Sequence, residues 1–537
     1  MSHETKRPCP LCDHRSQTYL FTRQGAHVAR CANCGLTQLS GPPSSDASAV
    51  QPSESVRPSG SYTERKAAEA YLAAFHARGG ARSGVLAVMD PAHPFLQLAE
   101  ADGLGIVAQV TTAGIESGAL ADRQYDAAIV IFQLEKAFDP VASLRAVHAA
   151  LKPGALLLIV TPSLDSWPAR VLRSQWTEWQ PENRSYFDLQ TIQSTCLASG
   201  FAEIEWLPDR RAYTLEHLHV RAARSLPTRL TRAIRVAAPL VPGPLRRRVR
   251  VTLPGSAAIV SARRVDVRER PLLSIVMPVF NERDTFEQTL NAVIRKELDD
   301  VDKEIIIVES RSTDGTRELV QKYVGWPTVT VLFEDRPRGK GAAVRAGLAR
   351  ATGTMVLIQD ADSEYDVDDY DALIAPLLDM RRAFVLGSRH VGSWKLRRFA
   401  DQPAASAFLN VGHILFATAL NVLFRQSIHD PFTMYKVFRR DCLHRLHFEC
   451  NRFDFDFELV IKLLRKGYVP LEVPVNYASR SFNEGKKVSA FRDPLTWIRA
   501  LVKYRFASIY TPQGPPTQPS RLTHTVDARS EKPFADT

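Results

Sequence analysis

The sequence has no run of about 18 uninterrupted apolar residues, which excludes the ordinary membrane-spanning helix. Its first residues, MSHETKRPCPLC, lack the apolar core of a secretory signal peptide, so export is not expected. Cysteine is scarce, seven in 537 residues, and unevenly spread, which argues against a disulfide framework and for a reduced compartment. No internal repeat is visible. With 45% hydrophobic and 24% charged residues the chain is not disordered as a whole, and its length fits about three or four folded units. Positive charge is in excess: the formal net charge of +11 suits an acidic partner such as a nucleotide, a phosphate, a nucleic acid or an anionic membrane.

Four of the cysteines, Cys9, Cys12, Cys31 and Cys34, follow the pattern C-x2-C-x18-C-x2-C. Two such pairs can present four thiolates tetrahedrally to Zn²⁺, and a segment this short needs a staple to fold, so residues 1–40 are predicted to be a zinc ribbon. Residues 41–60, rich in Pro, Ser and Gly, read as a disordered linker. Over 61–225 a helical stretch and the short apolar strands GVLAVM, GIVAQV, DAAIVIF and ALLLIV alternate, which implies a parallel sheet with helices on both faces. Residues 226–267 are basic and broken by prolines; two readings stand, a solvated connector and an amphipathic surface for anionic lipid. A second α/β alternation fills 268–510, and the polar, Pro-rich tail 511–537 is expected to be disordered.

Within the second alternation, VLIQDADSEYD (356–366) runs a buried strand straight into two carboxylates. Asp360 and Asp362 lie two residues apart in an extended chain and so point to one side. The plain alternative is a solvated acidic loop that continues through Asp366, Asp368 and Asp369.

The stretch YDAAIVIFQLEKAFDPVASLRAVHAALKPGALLLIVTPSLDSWPARV and the later YFDLQTIQSTCLASGF resemble class I S-adenosylmethionine-dependent methyltransferases that carry an N-terminal zinc ribbon. That family ends its first strand in an acidic residue and a Gly-rich loop, because only glycine lets the backbone approach the cofactor closely. Here the stretch is LAVMDPAHPFL: Ala87 holds the acidic position, and Met89, Pro91 and His93 replace the glycines. Thr111 stands where an acidic residue would hold the ribose. The resemblance therefore implies a methyltransferase fold without its cofactor contacts, and S-adenosylmethionine is not expected to bind.

Residues 270–508 carry, in order, LLSIVMPVFNERDTF, KEIIIVESRSTDGT, RGKGAAVRAG, TMVLIQDADSEYD, FVLGSRHVGS, DPFTMYKVFRR, NRFDFDFELVIKLLRKGY and SRSFNEGKKVSAFRD. This series resembles family 2 glycosyltransferases, and within them the polyprenyl-phosphate sugar transferases. The resemblance implies that Pro278, Asn281, Glu282 and Glu309 line the nucleotide pocket, and that Lys340 meets phosphate from a helix N-terminus; a surface lysine is the alternative. It implies that Asp360, Asp362 and Glu364 hold Mg²⁺ or Mn²⁺, which neutralises the departing diphosphate. Arg389, Arg480 and Lys486 are the further donor-binding residues, the last two, with Lys487, on a loop that closes over the diphosphate. The catalytic group is Asp362 with Asp430, Asp456 and Glu458, Asp456 being the general base for a hydroxyl acceptor. The alternative for Asp454, Asp456 and Glu458 is a favourable charge at a helix N-terminus.

The fold expected is α/β throughout: a zinc ribbon, a Rossmann-like methyltransferase fold and a GT-A type nucleotide-diphospho-sugar transferase fold. The expected function is inverting, metal-dependent transfer of a sugar from a nucleotide sugar to a polyprenyl phosphate or glycan acceptor, with the first half as a scaffold. A bifunctional methyltransferase/glycosyltransferase and a zinc-ribbon nucleic-acid-binding protein are the competing readings. No nucleic-acid partner is expected, because the basic residues lack interleaved aromatics. Residues 405–424 are apolar but interrupted by Asn410, His413 and Asn421; they fit equally a core helix and a helix in a membrane interface. The expected location is cytoplasmic, with peripheral attachment at the membrane face left open.

Overall fold

Near-continuous apolar runs such as SIVMPV and IIIVE belong to strands covered on both faces, and in the computed structural model they form the middle of a parallel sheet. The structure describes residues 8–23, 25–40, 62–120, 123–214, 250–265, 270–379, 382–389, 403–478 and 492–510. The expected linker 41–60, the tail 511–537, and Arg480, Lys486 and Lys487 lie outside the described residues.

At the N-terminus β1 (Gln17–Arg23), β2 (Ala26–Cys31) and β3 (Thr37–Ser40) pair antiparallel. The next unit is built from β4 (Val85–Val88), β5 (Ile106–Val110), β6 (Tyr125–Ile131), β7 (Leu151–Pro162), β8 (Ser185–Tyr186), β9 (Phe201–Thr214) and β10 (Arg250–Arg264). Six of these form a sheet in the order β5-β4-β6-β7-β10-β9, parallel except that β10 runs antiparallel to both neighbours. The remaining strand, β8, extends the ribbon sheet by pairing with β3, so the cysteine-rich segment is docked on this unit. An ion pair between Arg30 and Asp188 at 3.0 Å adds to that docking.

The expected basic connector over 226–267 needs correction. Residues 250–264 are a strand of this sheet, because Ala257, Ala258, Ile259, Val260 and Ala262 are buried between β7 and β9 while the arginines fall at its ends.

The C-terminal sheet comprises β11 (Leu272–Val279), β12 (Asp302–Glu309), β13 (Val329–Phe333), β14 (Met355–Ile358), β15 (Phe384–Ser388), β16 (Lys436–Arg439) and β17 (Leu471–Pro474). Their order is β13-β12-β11-β14-β16-β15-β17, with β16 alone antiparallel to its neighbours. This order brings the carboxyl ends of β11, β12, β14 and β15 to one edge, where open α/β sheets place their ligands. The helix Lys340–Leu348 can lie close on β11 because Gly347 has no side chain; a Cβ there would stand 2.4 Å from Val276.

The two α/β units touch. Arg445 and Arg78 both pair with the buried Glu205, at 3.0 and 2.7 Å, and the Gln193 amide donates to the carbonyl of Lys466. Among the described residues no helix is long and apolar enough to cross a membrane.

Candidate active site

The four N-terminal cysteines do converge. Cys9 and Cys34 sulfurs are 3.5 Å apart, as are those of Cys12 and Cys31, and all four lie within 4.8 Å of one another. Tetrahedral Zn–S bonds of about 2.3 Å place sulfurs about 3.8 Å apart, so the set fits one zinc ion. The Cys34 thiol hydrogen-bonds to Cys9 and brings its pKa down to about 6.

At the carboxyl edge of the C-terminal sheet the geometry begins with glycine. Gly339 has φ +104°, and a Cβ on it would stand 2.5 Å from the Asn451 carbonyl oxygen; one on Gly341 would stand 2.8 Å from that of Arg452. The motif RGKGA therefore lets the start of the helix Lys340–Leu348 press against the segment before the helix Phe455–Arg465. Lys340 is thereby held at the end of β14, where its ammonium meets the Asp360 carboxylate at 2.5 and 2.7 Å. Burial by itself lowers the Lys340 pKa, but Asp360, Asp456 and Asp362 outweigh it and hold it above the ordinary value. Asp362 is almost buried beside them.

The turn after β11 is fastened to the same edge. Asn281 takes φ +51°, donates its N–H to Ser312 Oγ at 2.9 Å and accepts at Oδ1 from the Thr313 N–H at 2.9 Å. The Glu282 N–H donates to Thr316 Oγ1 at 2.9 Å. Thr285 then bridges the turn to the acidic motif, its hydroxyl donating to the Ala361 carbonyl at 3.1 Å. Pro278 is the last residue but one of β11, just before this turn.

Several expected site residues have other partners. Glu364, expected as a third metal ligand, accepts at Oε2 from the Tyr477 hydroxyl at 2.8 Å. Among the described residues the four cysteines are the group of three or more donors close enough to hold an ion. Asp430 is fully buried, and both its oxygens are engaged by Arg389, with Nε and Nη2 each at 2.7 Å. Arg389 and Asp430 thus hold one another. The equally buried Glu458 accepts from the Glu449 and Cys450 N–H groups and from Lys462 at 2.5 Å, so it fastens a loop. Glu309, also fully buried, is taken by the Ser312 N–H at 2.5 Å and Arg317 at 2.6 Å, which shapes the loop after β12.

Asp456 lies in the first turn of its helix, where it pairs with Lys436 at 3.1 Å. Lys436 has no exposed surface; burial holds its pKa below the ordinary value against the pull of Asp456. Asp360, Lys340, Asp456 and Lys436 thus form a line of alternating charge under the edge.

Sequence reasoning missed Tyr477. Its ring lies under the Arg389 guanidinium at 5.0 Å while its hydroxyl holds Glu364, so it joins β15's end to the acidic motif. The one signal was its place just past β17, in LEVPVNYASR.

Residues 274–446 match the model of the glycosyl transferase family 2, and residues 64–205 match a methyltransferase domain model. A dolichyl-phosphate beta-glucosyltransferase of Trichomonas vaginalis is 28% identical over 218 residues, 38% of this chain and 65% of its own length. The chain thus spans just under two thirds of that relative. An uncharacterized glycosyltransferase of Mycobacterium bovis is 27% identical over 230 residues, 42% of this chain and 94% of its own. Among solved structures, glucosyl-3-phosphoglycerate synthase from Mycobacterium tuberculosis, in complex with Mn²⁺, UDP-glucose and phosphoglyceric acid, is 20% identical. The match covers 44% of this chain and 80% of that one, with a TM-score of 0.33.

Proposed function

The chain carries a family 2 glycosyltransferase domain behind a methyltransferase-like domain, and from that premise we propose that it moves a sugar from a nucleotide diphosphate donor to a polyprenyl phosphate. The observation that carries this reading is the meeting of Asp360, Asp362 and Lys340 at the carboxyl edge of the sheet. Asp360 and Asp362 suit a divalent cation of the kind held by one or two carboxylates and by the phosphates of its substrate. Mg²⁺ or Mn²⁺ bound there would neutralise charge on the departing diphosphate. Lys340 lies beside the same carboxylates and is positioned to turn towards a phosphate when one arrives. Asn281 and Glu282 border the nucleotide pocket, and Arg389, fixed by Asp430 and Tyr477, completes the donor side.

The state of the expected bases favours the acceptor. Asp456 is paired with Lys436, while Asp430 and Glu458 are saturated. A phosphate oxygen is already anionic and needs no base. It attacks the anomeric carbon from the face opposite the nucleotide, the bond to the diphosphate breaks, and the configuration inverts. The name of the dolichyl-phosphate relative points the same way. Two helices offer a route to a lipid: Val411, Leu415 and Val422 on Pro403–Phe424, and Ile498, Val502 and Phe506 on Arg492–Phe506, are exposed apolar residues beside Arg499 and Lys503.

In this reading the methyltransferase-like half is a scaffold. Met89 and Phe95 are fully buried where a cofactor loop would stand open, and Thr111 is used as a helix cap, accepting from the Gly114 N–H. The test is product analysis with a panel of nucleotide sugars, with and without polyprenyl phosphate. Glycolipid formed only when the lipid phosphate is present supports the reading; efficient transfer to free glycans without it overturns the choice of acceptor.

A further inference from the structure

Between the two α/β units lies a cavity of about 430 Å³ that the proposed transfer does not use. It opens just past the carboxyl end of β7, with Ser163, Asp165 and Trp167, and beside the middle of β9, with Asp209. The facing wall, with Phe424 and Gln426, belongs to the glycosyltransferase domain. This is the carboxyl edge of a largely parallel sheet and also a domain boundary, two places where small-molecule sites concentrate, and the volume is that of a ligand pocket.

Its chemistry narrows the occupant. Three carboxylates line it, and each already has a guanidinium: Asp165 with Arg170 at 2.8 Å, Asp188 with Arg30 at 3.0 Å, and Asp209 with Arg211 at 2.8 Å. The wall is therefore rich in hydrogen-bonding groups without an excess of either charge, which disfavours an ionic ligand. Asp209 itself is shielded: its side chain has no exposed surface, so with Arg211 it builds the wall and does not meet the ligand. Trp167 is 63% exposed at the cavity, and Trp206 lines it half-buried. An indole offers a flat apolar face beside polar groups.

A neutral ligand with many hydroxyls on one side and a C–H face on the other meets both conditions. We propose that this cavity is a carbohydrate-binding site, separate from the donor site, for a short run of sugar rings. It is coupled to the glycosyltransferase site by the chain itself. Asn421 holds Ile428 through both backbone groups, at 2.8 and 2.9 Å, so Gln426 of the cavity wall and Asp430, which fixes Arg389, share one braced segment. The methyltransferase-like half thus contributes glycan recognition.

The test is binding, not turnover. The full-length, zinc-loaded protein is titrated with maltotriose, cellotriose and mannotriose, followed by tryptophan fluorescence and by saturation-transfer NMR. The proposal expects a saturable signal with at least one, at a dissociation constant of about 1 mM or tighter. Trp167→Ala and Gln426→Ala are each expected to weaken that binding about tenfold or more, while the urea midpoint stays close to that of the wild type. No saturable signal with any of the three, or binding undiminished in both variants, overturns it.

Discussion

Arg389 and Asp430 form a two-pronged ion pair inside the glycosyltransferase sheet, with the Arg389 backbone N–H as a third contact to the same carboxylate at 3.0 Å. This bond network fixes a cation at the end of β15, and Tyr477 beneath the guanidinium keeps its plane.

Removing one partner of a buried pair strands the other. Asp430→Ala is expected to destabilise the protein by about 3–5 kcal/mol, read as a lower urea midpoint. Burial alone would raise the Asp430 pKa, but Arg389 outweighs it and holds it well below the carboxylate range. A depressed folded pKa gives stability that is present above the unfolded value, about 3.9, and is lost as pH falls through the folded one. Unfolding midpoints of the wild type should therefore fall from pH 5 towards pH 2 more steeply than those of Asp430→Asn.

Lys340 stands between the carboxylates and the expected diphosphate. Lys340→Met is expected to lower kcat/KM for the donor by about 10²-fold, the usual cost of one aligned charge in such a site. Initial rates at varied donor concentration measure it, and Lys340→Arg should recover part of the loss.

The ribbon should carry one zinc ion per chain, measurable by native mass spectrometry. Chelation is expected to disturb more than the ribbon, because β3 pairs with β8, and Trp176, Trp179 and Tyr186 pack together beneath that junction. The near-ultraviolet circular dichroism of those tryptophans is the readout; a spectrum unchanged after zinc removal would contradict a structural role.

Titration calorimetry with S-adenosylmethionine should show no micromolar binding. Met89 fills the position of a loop glycine with a fully buried side chain, and Pro91 has no N–H to offer a cofactor.

What the sequence made legible was local. The cysteine spacing, the run of VLI into Asp360 and Asp362, and the glycines around Lys340 each carry their meaning within a dozen residues, and the structure brings those groups together. The partners of Asp430, Glu458, Glu309 and Glu364 were not legible for one reason: they are distant in sequence or belong to the backbone. Those partners, Arg389, the 449–450 backbone, Arg317 and Tyr477, come from segments that the pattern of Asp430 or Glu364 does not reveal. The strand β10 was hidden by composition. In RVTLPGSAAIVSARR the proline, glycine and arginines suggest a solvated connector, yet its middle is the seam between β7 and β9.

The central claim is that the Asp360–Asp362 edge with Lys340 is the donor site. The most direct measurement is divalent-cation-dependent release of nucleoside diphosphate from nucleotide sugars in the presence of polyprenyl phosphate, wild type against Asp362→Ala. The account predicts turnover that requires Mg²⁺ or Mn²⁺ and vanishes in the variant while its unfolding midpoint stays close to the wild type. Equal turnover in the two proteins, or turnover indifferent to chelator, would contradict it.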